Sequence, residues 1–290
     1  MKIAITTDSN SGLLINEAKD NDIFVLPMPF LINGECYFEN VNLSQPEFYQ
    51  KLNENVEVST SQPSVGELTE FWTEILKVYD HIVHIPMSSS LSQSYASALA
   101  LSTSEEFTGK ITVVDNRRIS VTLKQSVYDA ATLRDRGYTP VDIKAYLEQT
   151  ATDSSVYIAV DTMKYLKKGG RISPAAATIG SILKIKPVLQ IHGGKLDKYA
   201  LARGTVKAKD AMKTAIKNDL NSNFANYVKQ GEMAIFVAHT NCQEEASKFV
   251  KELKTLFPDV PVTHCDPLSL SVSCHIGAGA LAVACARIVK

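Results

Sequence analysis

Ile82-Val-His-Ile-Pro-Met-Ser-Ser-Ser-Leu-Ser-Gln-Ser-Tyr-Ala-Ser-Ala98 decides the reading of the fold. It opens as a short apolar strand, passes through a run of serines and continues as an alanine-rich helical pattern. In an open α/β sheet the carboxyl end of a strand that feeds a helix is the usual ligand position. Unpaired N–H groups and the helix dipole favour an anion there. Ser88, Ser89, Ser90, Ser92 and Ser94 add hydroxyls that donate or accept. One of them capping the helix is the plain structural reading; the cluster as a whole suits a phosphate or a carboxylate.

Outward from this stretch, strands and helices alternate. Ile3 to Thr6 reads as a strand, with Asp8-Ser-Asn-Ser-Gly12 as the loop after it; Asp8 is either a ligand-facing group or the cap of a helix from Leu13 to Asp20. Ile23 to Pro27 is a second apolar run. Phe30 to Phe38 reads as a hairpin turning at Asn33-Gly34. Ser44-Gln-Pro-Glu47 starts a helix with a capping box. Thr60-Ser-Gln-Pro-Ser64 is a second hydroxyl-rich loop before a helix from Val65 to Tyr79. Lys110 to Asp115 is another strand, Ile119 to Gly137 a long helix, and Thr139 the cap of one more. This alternation predicts a mainly parallel α/β domain over residues 1–153.

Beyond Ser154 the pattern changes to α+β, a domain over 154–276, with a terminal helix at about 277–290 that packs back on the first domain. Val156 to Val160 reads as a strand and Asp161 to Lys168 as a helix closed by Gly169-Gly170. Leu183 to Ile191 reads as an edge or half-buried strand, and Leu196 to Ala202 returns from the turn His192-Gly-Gly-Lys195. Helices at Thr205–Leu220 and Glu244–Phe257 alternate with strands at Met233–Ala238 and Val260–Cys265.

Of the 290 residues, 45% are hydrophobic and 21% charged, the balance of an ordinary globular chain. No apolar run approaches the ~20 residues that span a bilayer. The amino-terminal strand is too short for a secretory leader, which predicts a cytoplasmic protein. The five cysteines are scattered and odd in number, fitting reduced thiols. His264-Cys265 and Cys274-His275 form a mirrored pair, but adjacent ligands do not match zinc spacing, so no metal is expected. Net charge is −1 but unevenly spread: −6 over residues 1–59 and +10 over 160–217. The basic block suits an acidic or phosphate-bearing partner. It lacks the aromatic interleaving of a nucleic-acid surface.

Three further motifs bear on chemistry. His275-Ile-Gly-Ala-Gly-Ala-Leu-Ala282 contains GxGxxA, yet no strand and ribose-binding acid can follow it, so a dinucleotide site is rejected. Its glycines instead let the backbone approach something closely, with His275 placed to touch a ligand. Lys167-Lys-Gly-Gly-Arg-Ile172 and Arg203-Gly204 are basic turns whose arginines suit carboxylate or phosphate. Serines, His275 and Asp8 could in principle form a hydrolytic triad, but no G-x-S-x-G elbow is present.

Taken together, Asp8-Ser9 after the first strand, Thr60 to Ser64, Ser88 to Tyr95, Leu166 to Ile172, Lys184-Ile-Lys-Pro187, Arg203 and His275 to Gly279 resemble the DegV family over nearly the full length. The resemblance implies two domains with a long-chain fatty acid, such as palmitate, held between them, and no cofactor. It implies a non-catalytic protein that presents the carboxylate to a separate fatty acid kinase subunit. Thr60 and Ser92 would then hydrogen-bond the carboxylate with Ser61 and His275 close by, and Arg171 and Arg203 would face the kinase. Gln93-Ser94 departs from the family's frequent Gly-Thr, and Ala278 from its proline; Gln93 would alter the pocket rim. A stand-alone hydrolase or transferase using the Ser/Thr loops, and a ligand-free interaction module, remain the alternatives.

Overall fold

The computed structural model describes residues 1–180, 185–192 and 194–290. In chain order, β1 (Ile3–Asp8), a 3-10 turn (Ser9–Ser11), α1 (Ile15–Lys19) and β2 (Ile23–Leu26) come first. The hairpin β3 (Pro29–Ile32) and β4 (Glu35–Phe38), α2 (Gln45–Asn53), β5 (Val58–Thr60) and α3 (Val65–Leu76) follow. Next are β6 (His81–Ile85), α4 (Ser94–Ser102), β7 (Ile111–Val113), α5 (Ser120–Asp135) and α6 (Pro140–Gln149). Then come β8 (Ser154–Ala159), α7 (Lys164–Gly169), α8 (Pro174–Ala177), β9 (Ile185–Ile191), β10 (Asp197–Arg203) and α9 (Gly204–Asn221). The chain closes with α10 (Ala225–Gln230), β11 (Met233–His239), α11 (Gln243–Leu256), β12 (Val262–Pro267), α12 (Leu270–Ile276) and β13 (Leu281–Arg287).

Three sheets result. The first is all-parallel, in the order β2-β1-β6-β7, as the strand–helix alternation predicts. A small antiparallel sheet, β4-β3-β5, carries the expected hairpin, with Asn33 and Gly34 both at positive φ. The third has six strands in the order β10-β9-β8-β13-β11-β12, antiparallel except for β11 with β12.

α5 lies between the two large sheets, touching β1 on one side and β11 and β13 on the other. Eleven of its sixteen residues are buried. Helices buried on both faces lose the one-sided apolar stripe of a surface helix. Val121, Leu123, Val127 and Ala130 join Ile3, Ile5, Val83 and Ile85 of the parallel sheet to Ile158, Phe236, Ala282 and Ala284 of the mixed one in a single core. The outer faces are covered separately: α3 and α4 pack Trp72 and Ala98 on the parallel sheet, and α9 and α11 pack Met212 and Phe249 on the mixed one. Burial on both faces suits the apolar runs Ile3–Ile5 in β1 and Ile82–Val83 in β6, while Thr6, Thr7 and His84 are buried with side-chain hydrogen bonds.

One expectation is corrected here. The carboxyl-terminal stretch is a strand, β13, between β8 and β11, where a helix was expected. Its alanines favour helix locally, but burial on both sheet faces and two antiparallel ladders prevail. β9, read as an edge or half-buried strand, is half-buried: Pro187, Val188 and Leu189 are buried and its other residues partly exposed, with β10 forming the edge of the sheet. Pro187 has no N–H to give the ladder, but its carbonyl takes part by accepting the Val160 N–H at 3.0 Å. Leu183 and Lys184, read as the start of that strand, lie outside the described residues.

Candidate functional site

The parallel sheet's carboxyl ends bring together the loops after β1, β2 and β6. The chain departs in opposite directions from β1 and β6, which makes this edge the topological switch point where ligands bind in such sheets. A cavity of about 340 Å³ opens there. Asn10, Met28 and Met87 line it from the strand ends, Leu91, Ser92 and Gln93 from the serine loop, and Ile119 from the start of α5. The other lobe contributes Leu166, Arg171 and Leu196, and α12 adds Ser271, Val272, His275 and Ile276. Thr60, Ser61 and Gln62 complete the wall. The lining is mostly apolar with a few convergent polar groups, the usual make-up of a small-molecule site.

The polar groups concentrate where β5, α12 and the serine loop meet. Thr60 Oγ1 lies 2.8 Å from His275 Nε2. Burial, and secondarily the Arg171 charge, push the His275 pKa down to about 4. The imidazole is therefore neutral at physiological pH, one nitrogen donating and one accepting. The ring has its place because residue 169 is glycine: a Cβ there would stand 2.0 Å from Nδ1. The Gly169-Gly170 pair thus makes room for a histidine more than a hundred residues downstream.

Ser92 is seated by the turn it belongs to. Its N–H donates to Ser88 O at 3.2 Å, and its hydroxyl accepts the Ser94 N–H at 3.1 Å while contacting Ser94 Oγ at 2.8 Å. Ser88 and Ser90 pair with each other at 2.7 Å, and Ser89 Oγ donates to Asp115. These three shape the loop, while Ser92 reaches the cavity. Ser61 lines the cavity with its hydroxyl donating to Gln62 O at 3.1 Å. Gln93 is exposed and stands at the rim.

Arg171 is half-buried in the cavity wall. Its Nε donates to Leu91 O at 3.3 Å and its Nη1 to Gly169 O, tying α7 to the serine loop. Arg203 is exposed at the end of β10 and does not line the cavity. Asp8 is fully buried beneath the loop: its carboxylate accepts the Met87 N–H at 2.8 Å and the Asn10 N–H at 2.9 Å. Burial pushes its pKa up to about 6. Among the described residues no carboxylate hydrogen-bonds His275, so Asp8 and His275 do not assemble a triad. His264 stacks on Phe236 in the β12 layer, apart from Cys274, which is buried beside α2 and β3.

The GxGxxA glycines make the close approach expected of them at the turn from α12 into β13. Gly279, at φ +80°, would place a Cβ 2.3 Å from Asp161 Oδ2. Sequence reading missed α12 itself, and with it Ser271 and Val272; the one local signal is Ser269, whose hydroxyl accepts the Val272 N–H. Asn10 was passed over as part of a polar loop.

The fold and site define a mixed α/β protein with a cavity at the carboxyl ends of its parallel sheet, lined by apolar side chains together with hydroxyls and a neutral imidazole. The DegV family model, described as an uncharacterised protein family, matches residues 2–287, and the chain belongs to that family. A DegV domain-containing protein of Clostridium perfringens is 32% identical, over 97% of this chain and 96% of its own. Protein DegV of Bacillus subtilis is 29% identical, over 98% of each. Among solved structures, a DegV family protein from Thermus thermophilus described by its fatty acid binding superposes with a TM-score of 0.86 at 26% identity. It covers 99% of this chain and 100% of its own. DegV from Bacillus subtilis, described as a fatty acid binding protein, gives 0.84 at 29% identity, over 99% of each chain. Among the described residues no helix is long and apolar enough to cross a membrane.

Proposed function

We propose that this chain binds a long-chain fatty acid of the palmitate type between a unit of residues 1–153 and a unit that begins at 154 and, with β13 inside its sheet, continues past 276. Thr60 and Ser92 hydrogen-bond the carboxylate, and Ser61 and His275 stand close by. One observation supports the reading: Thr60 and the neutral His275, in contact at 2.8 Å, share with Ser92 a cavity whose lining also includes two methionines, three leucines, two isoleucines and a valine. Burying an acyl chain there is favourable by ~0.8 kcal/mol per CH₂ before association costs. Hydrogen bonds to the charged head are worth ~1.5–3 kcal/mol each. Hydroxyls hold the anion without locking it into a salt bridge, which suits a group that is later passed on. The solved relatives described as binding fatty acids support this reading.

The finer reading is a cytoplasmic carrier in lipid transport or fatty acid metabolism that presents the carboxylate to a separate fatty acid kinase subunit and has no catalytic residues or cofactor of its own. Arg203, exposed at the edge strand, and Arg171, at the cavity wall, face that partner. Titration of the delipidated protein with palmitate tests the site: Thr60→Val with Ser92→Ala weakens binding at least about tenfold, the worth of one such bond. Unchanged affinity rejects the assignment. Arg203→Glu separates the two levels, since it abolishes kinase-coupled phosphorylation of the bound acid while leaving binding intact. If phosphorylation persists, Arg203 does not dock the kinase.

A further inference from the structure

A second polar group faces the cavity, away from the hydroxyl and imidazole end. Asn10 is 2% exposed and Ser271 6% exposed, and both line the wall. The Asn10 side-chain oxygen accepts Ser269 Oγ at 3.1 Å and the Ser271 hydroxyl. Its Nδ2, carrying two N–H donors, has the Met87 Sδ as its partner at 2.8 Å. A thioether is a weak acceptor, and one donor cannot use both hydrogens on it. Among the described residues no second acceptor hydrogen-bonds that nitrogen.

A buried amide donor without a full partner is unfavourable. An unsubstituted acyl chain would pass it, displace water and leave it so. A ligand oxygen would satisfy it, and the free lone pairs of Ser271 Oγ would accept a ligand O–H in return. The pair therefore fits a hydroxyl, which donates and accepts, better than a carbonyl. We propose that the cavity selects acyl chains bearing a hydroxyl, recognised by Asn10 and Ser271. Ser271 and His275 are four residues apart on one face of α12, about 6 Å along the axis. The hydroxyl thus belongs nearer the carboxyl end of the chain than its tail. This inference rests on the fatty-acid reading above and adds the substrate class.

The test uses the full chain, delipidated, titrated calorimetrically with palmitate and with hydroxypalmitates whose hydroxyl moves stepwise from the carboxyl end. One isomer in the carboxyl-proximal half binds at least about tenfold tighter than palmitate, the effect of one satisfied buried hydrogen bond. In Asn10→Leu the ratio of the two affinities collapses to about one. Should that variant not fold, Ser271→Ala serves, because it removes the acceptor half of the pair. Palmitate matching every isomer overturns the proposal, as does an unchanged ratio in the variants. Palmitate and hydroxypalmitates all failing to bind overturns the fatty-acid reading itself, a separate outcome.

Discussion

Thr60 and His275 come from opposite ends of the chain, and their 2.8 Å contact sets the chemistry of the polar end. With a folded-state pKa of about 4 against an ordinary 6.5, His275 binds fewer protons folded than unfolded. Stability therefore rises with pH between about 4 and 6.5 and is level above that window. His84, buried against Trp72 and held by Thr6, is pushed to about 3 and acts in the same direction. Asp8 and Asp129, both raised to about 6 by burial, act oppositely, lowering stability as pH climbs from 3.8 to about 6. His275→Gln should flatten the acid limb of the stability profile by about 3 kcal/mol. Thermal denaturation from pH 4 to 7 checks this; a variant profile parallel to the parent's would contradict it. Of these residues the sequence makes Thr60, Ser92 and His275 legible through their loops and family pattern. Asn10 and Ser271 stay hidden, because Ser271 lines the cavity from a helix that sequence does not announce and Asn10 meets it only through a contact between chain segments far apart in sequence.

At the scale of elements, α7 and α5 hold the site in place. Gly169→Ala forces a methyl into the His275 ring. The ring must shift, so the variant should lose about 2 kcal/mol of stability and bind fatty acid measurably more weakly; denaturant titration with a parallel binding assay checks both, and wild-type values in each would reject the packing account. Lys124, buried on α5, bridges Glu17 of α1 and Asp266 on β12, each at 2.9 Å. Lys124→Met leaves two partly buried carboxylates facing each other and should cost about 2–3 kcal/mol. A denaturation midpoint unchanged from the parent would show the bridge to be dispensable. Elements with strong local signals were readable: the Asn33-Gly34 hairpin, the α6 cap at Thr139, the long α5. α12 was not, because Ser-Val-Ser-Cys-His are weak helix formers and tertiary packing sets their conformation. β13 misled in the opposite sense, since alanine-rich Leu281–Arg287 resembles helix until two neighbouring strands are known.

For the whole molecule, strand–helix alternation over residues 1–153 foretold the parallel sheet, whereas the order of the six-stranded sheet depends on contacts between residues far apart in sequence. The charge asymmetry, −6 over residues 1–59 and +10 over 160–217, belongs to this scale as well. A basic block of this kind steers an acidic partner in a salt-dependent way, so association with the proposed kinase subunit should weaken steeply between low and physiological salt while affinity for the proposed fatty-acid ligand changes little. Binding assays across a salt series check it; parallel loss of both would contradict a separate docking face. Underneath stands the claim that the cavity holds a fatty acid. Native mass spectrometry of the chain purified without lipid addition tests it most directly. The account predicts a mass increment of one long-chain acid, released on unfolding and reduced in the Thr60→Val, Ser92→Ala variant; repeated recovery of unliganded protein that also fails to take up added acid would contradict it.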